Sequence, residues 1–279
     1  MTLRSRFEAG EHLTAPGVFD PFSARIAEAA GFDVLYMTGY GVNATLLGEP
    51  DAAFASYAEM VERLRAISMV TDASIVADGD TGFGGLANVA RAVAGYEMAG
   101  AEAIQLEDQE FPKRCGHTKN RRVIPVDEMA KKIKVALDSR ASDDFLIVAR
   151  TDALSGHGID EALKRADAYL TAGADVLFVE SPESVDEMRM ICQRFSGTPL
   201  VANMVAGGRT PMPPDAELYA MGFQLVIHPI YLLGAIFDGV AAAAAGLKSG
   251  QEDPVADIHA LNTLLGFESI WALDEKYQS

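Results

Sequence analysis

Two periodicities alternate along this chain. Short apolar runs fall at 15–19, 33–37, 74–77, 103–106, 145–149, 175–179, 199–202 and 224–227. Each ends in a polar residue or glycine and gives way to a longer amphipathic stretch, at 21–30, 56–70, 86–99, 126–138, 159–172, 184–195, 214–221 and 230–246. Segment 159–172 shows the helical period well, with Ile159, Leu163, Ala166 and Leu170 on one face. Gly31, Gly100, Gly173, Gly197 and Gly222 follow these stretches as helix C-caps should. Ala99-Gly100-Ala101 and Ala172-Gly173-Ala174 recur just before apolar runs. Eight strand-then-helix units predict an α/β chain folded as a (β/α)8 TIM barrel. A doubly wound sheet of similar length is the alternative.

No linker, charge block or low-complexity tract divides the chain, so residues 1–279 are expected to form a single barrel domain. The pattern breaks at KSGQEDP, near residue 250. Two further helices are expected at 254–266 and 268–277. They carry Leu261, Leu264, Leu265, Phe267, Ile270 and Trp271 beyond an already complete barrel. A neighbouring subunit is the natural place to bury that surface, so a homo-oligomer, dimer or tetramer, is expected.

In such a barrel the chemistry sits where strands end. Those positions read Tyr36-Met37-Thr38-Gly39, Asp78-Gly79-Asp80, Glu107-Asp108, Arg150-Thr151-Asp152, Glu180, Asn203 and His228-Pro229. One polar strand end is usually a cap or a rim ion pair, whereas so many together point to a functional cluster. Asp78, Asp80 and Glu107 are hard oxygen donors on neighbouring strands and suit Mg2+, with Mn2+ possible. Mg2+ takes one or two direct carboxylates, so Asp78 is expected to bind directly and Asp80 and Glu107 through water. Asp51 is placed with this metal set. An N-cap role would explain Asp80 alone. An EF-hand reading fails because Gly82 and Val89 occupy ligand positions five and twelve. Gly39-Tyr40-Gly41-Val42-Asn43-Ala44 fits a dinucleotide fingerprint, but TLLGEPD behind it does not read as the long helix such a site needs. The N–H groups of Thr38 to Gly41 are instead a candidate nest for a substrate carboxylate.

Composition narrows the function. Net charge is −17 with a pI near 4.6, which repels nucleic acid and anionic membranes. An anionic substrate must therefore meet a locally basic site. The two cysteines, Cys115 and Cys192, have no framework spacing. The N-terminus lacks the apolar core of a signal peptide, and no run of about 18 apolar residues suggests a membrane span, so a cytoplasmic protein is expected. Cys192, within EMRMICQRF, reads as a small core residue. Cys115 differs. It lies in PKRCGH, beside Lys113 and Arg114 and ahead of His117, where positive charge lowers a thiol pKa. Gly116 gives that loop room to bend. No G-x-S-x-G elbow supports a serine hydrolase.

With PKRCGH at 112–117, DGDTGFG at 78–84, LEDQ at 106–109, YMTGYG at 36–41 and NMVAGGRTP at 203–211, the chain resembles the isocitrate lyase/phosphoenolpyruvate mutase superfamily from about Thr14 onward. Within it the thiol loop resembles that of the lyases, closest to 2-methylisocitrate lyase and 2,3-dimethylmalate lyase. The resemblance implies a Mg2+-dependent barrel in which one terminal helix is exchanged between subunits. It implies cleavage of a C–C bond in a 2-hydroxy di- or tricarboxylate, giving a 2-oxo acid. Catalytic roles are then implied for Cys115 as general acid and for Tyr36, Arg150, Lys113, His117 and Glu180. Substrate binding is implied for Thr38, Gly39, Tyr40, Gly116, Asn203 and His228. Three positions depart from the family pattern: Gly79 within DGDTGFG, Gln105 in place of a frequent histidine, and Ala206 in place of a glutamate. Val205 and Ala206 would make the far end of the site smaller and less polar, which favours alkyl-malate substrates over citrate-like ones. The alternatives are an oxaloacetate hydrolase or decarboxylase, then a phosphonate P–C enzyme, then a non-catalytic barrel.

Overall fold

The computed structural model describes residues 1–116, 118, 121–251 and 255–277. Eight strands close a parallel barrel in sequence order. They are β1 Leu13–Val18, β2 Val34–Met37, β3 Ser74–Asp78, β4 Ala103–Glu107, β5 Leu146–Thr151, β6 Val176–Val179, β7 Leu200–Asn203 and β8 Leu225–His228. The expected (β/α)8 architecture is the observed one, and the doubly wound alternative is excluded by the pairing of β1 with β8. The strand expected at 15–19 starts two residues earlier, because Leu13 and Thr14 pair with Leu225 and Val226.

The helices are α1 Leu3–Glu8, α2 Pro21–Ala29, α3 Gly39–Val42, α4 Tyr57–Ser68, α5 Leu86–Met98, α6 Val126–Ser139, α7 Leu154–His157, α8 Ile159–Ala172, α9 Val185–Arg194, α10 Asp215–Met221, α11 Tyr231–Ser249, α12 Ile258–Leu265 and α13 Phe267–Tyr277. A π-helical turn, Asn43–Leu47, follows α3. Side chains alternate across each strand, and this sorts the molecule into two cores. Inward-facing Leu13, Val34, Val76, Ala103, Val148, Val176, Val201 and Leu225 fill the barrel. Outward-facing Leu35, Ile75, Ile104, Ile147, Leu177 and Val226 pack against the helices. Helix α1 was not expected from the pattern. It closes the N-terminal end of the barrel with Leu3 and Phe7, which join the inner core. The Leu3 N–H donates to Glu102 at 2.6 Å and anchors it.

The tail helices form close to where they were expected, but their apolar residues stay outside. Trp271 is 54% exposed and Leu265 46% exposed. Helix α11 is almost wholly exposed too, with Phe237 at 72%. Its 19 residues and mean hydropathy of 1.4 meet the length and composition of a membrane span, against the expectation that no segment would. Alanines supply much of that hydropathy, which is why it does not read as a span by eye, and Asp238 lies within it. Residues 252–254 and 278–279, partly within the expected tail, lie outside the described residues.

Candidate active site

The parity of each strand decides which strand-end residues share a space. Tyr36 continues the inward row of Val34; Asp78 that of Val76; Gln105 and Glu107 that of Ala103; Arg150 that of Val148. The register sets Asp78 beside Gln105 and Glu107 beside Arg150. A cavity of about 180 Å3 opens at this end. Tyr36, Thr38, Tyr40, Asp51, Asp78 and Glu107 line it, with Lys113, Cys115, Gly116, Arg150 and Asn203 facing them.

Lys113 is buried between two carboxylates. Its Nζ lies 2.6 Å from Asp51 Oδ1 and 2.7 Å from Asp80 Oδ1. Burial alone would favour the neutral amine, but Asp80, Asp51 and Asp78 outweigh it and keep Lys113 protonated. Burial pushes Asp80 up to about 7; Lys113 works against this, while Asp78 and Asp51 add to it. Burial also holds Glu107 well above the usual carboxylate range, with Arg150 opposing and Asp152 adding. Asp80 adopts a left-handed backbone, φ 49°, a strained conformation that functional sites often retain.

Asp78 Oδ1 accepts from the Asp80 N–H at 3.0 Å, and Oδ2 from the Gly39 N–H at 3.3 Å. A side chain at 39 would sit 2.7 Å from Asp78 Oδ2, so glycine is required for this approach. The expected carboxylate nest is therefore not open: the Gly39 N–H serves Asp78 and the Gly41 N–H serves Thr38 Oγ1 at 3.3 Å. Thr38 and Tyr40 do reach the cavity wall, and Gly39 does not.

Arg150 is the hub of the opposite wall. Nε and Nη2 each donate to Asp152 at 2.9 Å, Nη1 lies 3.2 Å from Glu180 Oε2, and Nε lies 3.4 Å from Glu107 Oε2. The Phe178 ring supports the guanidinium from below, 5.0 Å from its centroid. Asn203 donates to Glu180 Oε2 at 3.1 Å. The carboxylate of Asp152 also binds Arg121, whose side chain is fully buried. The sequence alone reads Asp152 as a strand-end residue and does not single out Arg121. The i, i+2 spacing of Arg150 and Asp152 on one face was the available signal; nothing local marks Arg121.

The loop after β4 covers the cavity. Gln109 and Val123 pair at its base, and Gln109 exchanges hydrogen bonds with the Arg114 backbone at 2.8 and 3.0 Å. The Cys115 N–H donates to the Asp51 carbonyl at 3.2 Å. A Cβ on Gly116 would stand 2.4 Å from Arg150 Nη2 and 2.8 Å from Glu180 Cδ. Glycine here serves close approach rather than bending. His117 lies outside the described residues.

Two strand-end residues point the other way. His228 follows outward-facing Val226, so it faces the helix layer and lies 3.1 Å from Asp215 of α10. Its expected place in the substrate site is corrected accordingly; inward-facing Ile227 lines the cavity instead. Asp108 likewise faces out, where Thr151, Tyr169 and Arg165 hold it at 2.8, 2.6 and 3.1 Å.

The donor set bears on a metal. Among the described residues no three of His, Cys, Asp and Glu are placed to hold an ion by themselves. Yet Glu107 Oε1 is buried without a hydrogen bond, and Asp51, Asp78, Asp80 and Glu107 crowd around one lysine. Buried carboxylate oxygens in that condition fit a hydrated divalent cation, which needs few direct protein ligands.

A catalytic barrel with a carboxylate-rich mouth and a thiol-bearing cover is the class these features define. The model of the phosphoenolpyruvate phosphomutase family matches residues 3–248, and the chain belongs to that family, within the PEP mutase/isocitrate lyase superfamily. It is 42% identical to 2,3-dimethylmalate lyase of Eubacterium barkeri over 99% of this chain and 96% of that one. A crystal structure of a 2,3-dimethylmalate lyase superposes with a TM-score of 0.94 at 35% identity, covering 98% of this chain and 93% of that one. Oxaloacetate acetylhydrolase bound to 3,3-difluorooxalacetate gives 0.95 at 32%, covering 100% and 96%. Phosphonopyruvate hydrolase, solved with oxalate and Mg2+, gives 0.89 at 30%, covering 100% of each chain.

Proposed function

We propose that this chain is a carbon–carbon lyase that splits a 2-hydroxy dicarboxylate bearing alkyl groups, such as 2,3-dimethylmalate, into pyruvate and a simpler carboxylate. The observation that carries the reading is the polarity of the cavity. One end gathers Lys113, Arg114 and Arg150, which suits carboxylates. Across the barrel, at and after the ends of β7 and β8, the cavity is walled by Val205, Ala206, Ile227, Pro229 and Ile230, which suits alkyl groups better than a third carboxylate. The similarity to 2,3-dimethylmalate lyase supports it.

Asp78 would hold Mg2+, or Mn2+, directly, with Asp80, Glu107 and Asp51 binding its waters. The cation would supply charge stabilisation for the substrate's C1 carboxylate and C2 oxygen. Thr38 and Tyr40 position the C1 end. Tyr36 lies against the C2 hydroxyl. That O–H bond breaks as C2 becomes a carbonyl, its proton passing to Glu107, whose Oε1 has no other hydrogen bond among the described residues; the C2–C3 bond breaks and its electron pair passes to the departing carboxylate as an enediolate. Arg150, backed by Asp152 and Glu180, faces that developing charge together with Asn203, Lys113 and Arg114. Cys115 gives its proton to C3, which completes the second product. Gly116 brings the cover down and excludes water. His117 keeps the catalytic role expected of it from the sequence.

Two substitutions test the assignment. Cys115→Ser should lower turnover about 10²–10⁴-fold while substrate still binds; wild-type turnover would remove Cys115 as the acid. Asp78→Ala should abolish Mg2+-dependent activity, and full activity of the wild type in excess chelator would sink the metal assignment. Hydrolysis of oxaloacetate is the second reading, favoured by the TM-score of 0.95 with oxaloacetate acetylhydrolase. Sequence similarity and the apolar end favour the lyase. The exposed apolar faces of α11, α12 and α13 lead us to place a second copy of the chain there, in a cytoplasmic dimer or tetramer.

A further inference from the structure

Gln105 faces inward on β4 between Ala103 and Glu107, is 1% exposed, and stands beside Asp78 in the barrel register. Its Oε1 accepts from the Tyr36 hydroxyl at 2.9 Å, and its Nε2 donates to Asp78 Oδ1 at 3.4 Å. The two ends of a carboxamide are not interchangeable, since the NH2 only donates and the oxygen only accepts. Turning the amide over would set its oxygen against the carboxylate of Asp78. Asp78 therefore fixes which end faces Tyr36. A neutral phenol has one proton, and Tyr36 spends it on Gln105. What Tyr36 has left for the cavity is a lone pair.

We propose that Gln105 is a positioning residue that sets the hydrogen-bond polarity of Tyr36, so that Tyr36 meets the substrate's C2 hydroxyl as an acceptor. The proposal rests on the reading that places this hydroxyl against Tyr36. It changes the tyrosine's part in the chemistry. An accepted hydrogen bond orients the hydroxyl in the bound substrate and is lost as the hydroxyl gives up its proton. Tyr36 then contributes to binding more than to the transition state. The charge that develops on the oxygen falls to Arg150 and the cation rather than to the phenol.

The direct test needs neither metal nor substrate. The UV resonance Raman difference between wild type and Tyr36→Phe isolates the Tyr36 Fermi doublet, whose intensity ratio separates a donating phenol from an accepting one. The expected signature is a donor, lost in Gln105→Leu. An accepting doublet in the wild type overturns the proposal, as does a donor doublet that Gln105→Leu leaves unchanged. If Gln105→Leu does not fold, the wild-type doublet still decides. Kinetics supply the second readout: because this hydrogen bond is made in the bound substrate and lost in the transition state, Tyr36→Phe should raise KM about tenfold, the worth of one hydrogen bond, with kcat rising rather than falling. A large loss in kcat at constant KM would show Tyr36 donating to the oxyanion and would overturn the proposal. A donor doublet in a protein that turns over none of the candidate acids would count against the lyase reading and leave the polarity of Tyr36 standing.

Discussion

At the scale of single residues, the site depends on paired charges with nowhere else to go. Asp152 is wholly buried and pairs with both Arg150 and Arg121, while Arg150 also meets Glu180 and Glu107. Removing one partner of a buried pair leaves the other uncompensated, so Asp152→Ala should destabilise the fold by about 3–5 kcal/mol, read as a lowered denaturation midpoint. A midpoint within error of wild type would show that water takes over the role. The two thiols make a second contrast. Cys192 is buried and pushed up to about 12, so it carries almost no thiolate at neutral pH. Cys115 is partly exposed on the cavity wall. Iodoacetamide at pH 7.5 should label Cys115 alone, as read by peptide mass mapping; labelling of Cys192 first would contradict the packing described. The different burial of the two cysteines was legible in sequence because their neighbours differ so sharply in polarity. The Arg121–Asp152 pair was not, because it joins a loop to a strand end 31 positions away.

At the scale of elements, the strand rule explains both what could be read and what was misread. Eight apolar runs gave the barrel, and the polar residues ending them gave the site. Parity along each strand decides the rest. Counting alternate residues back from each strand end places Asp78, Glu107 and Arg150 with the inner core and His228 and Asp108 with the outer one. Gly39 and Gly116 show a different limit. A sequence shows that a residue is glycine, but only the fold shows that Asp78 or Arg150 stands where a Cβ would be. Gly116→Ala should hold the cover off the site and reduce kcat/KM by about 10²-fold through misplacement, with stability near wild type. Activity equal to wild type would mean that Arg150 and Glu180 give way.

At the scale of the whole molecule, a chain of net charge −17 brings three of its 23 lysines and arginines to one cavity. Lys113, Arg114 and Arg150 meet at the cavity, so the protein's general field repels the anions that its site accepts. The apolar surface has the opposite distribution. It leaves the barrel and runs along α11 to α13, where Phe237, Ile270, Trp271 and Leu273 are exposed. Contiguous exposed apolar surface marks an interaction face. Truncation after Gly250 should shift the sedimentation coefficient toward a smaller species, and an unchanged profile would remove the tail from assembly. The tail was visible in the sequence as helices without a barrel to join. The α1 plug was not, since six residues carry too little pattern to separate a helix from a leader.

The central claim is cleavage between C2 and C3 of an alkyl-substituted malate. The most direct measurement is proton NMR of 2,3-dimethylmalate, 2-methylisocitrate, isocitrate and oxaloacetate, each incubated with Mg2+ and either the wild type or Cys115→Ser. The proposed cleavage gives pyruvate and propionate from dimethylmalate with the wild type, and both about 10²–10⁴-fold more slowly with Cys115→Ser. Oxalate and acetate from oxaloacetate, with dimethylmalate untouched, would contradict it and make the protein a hydrolase.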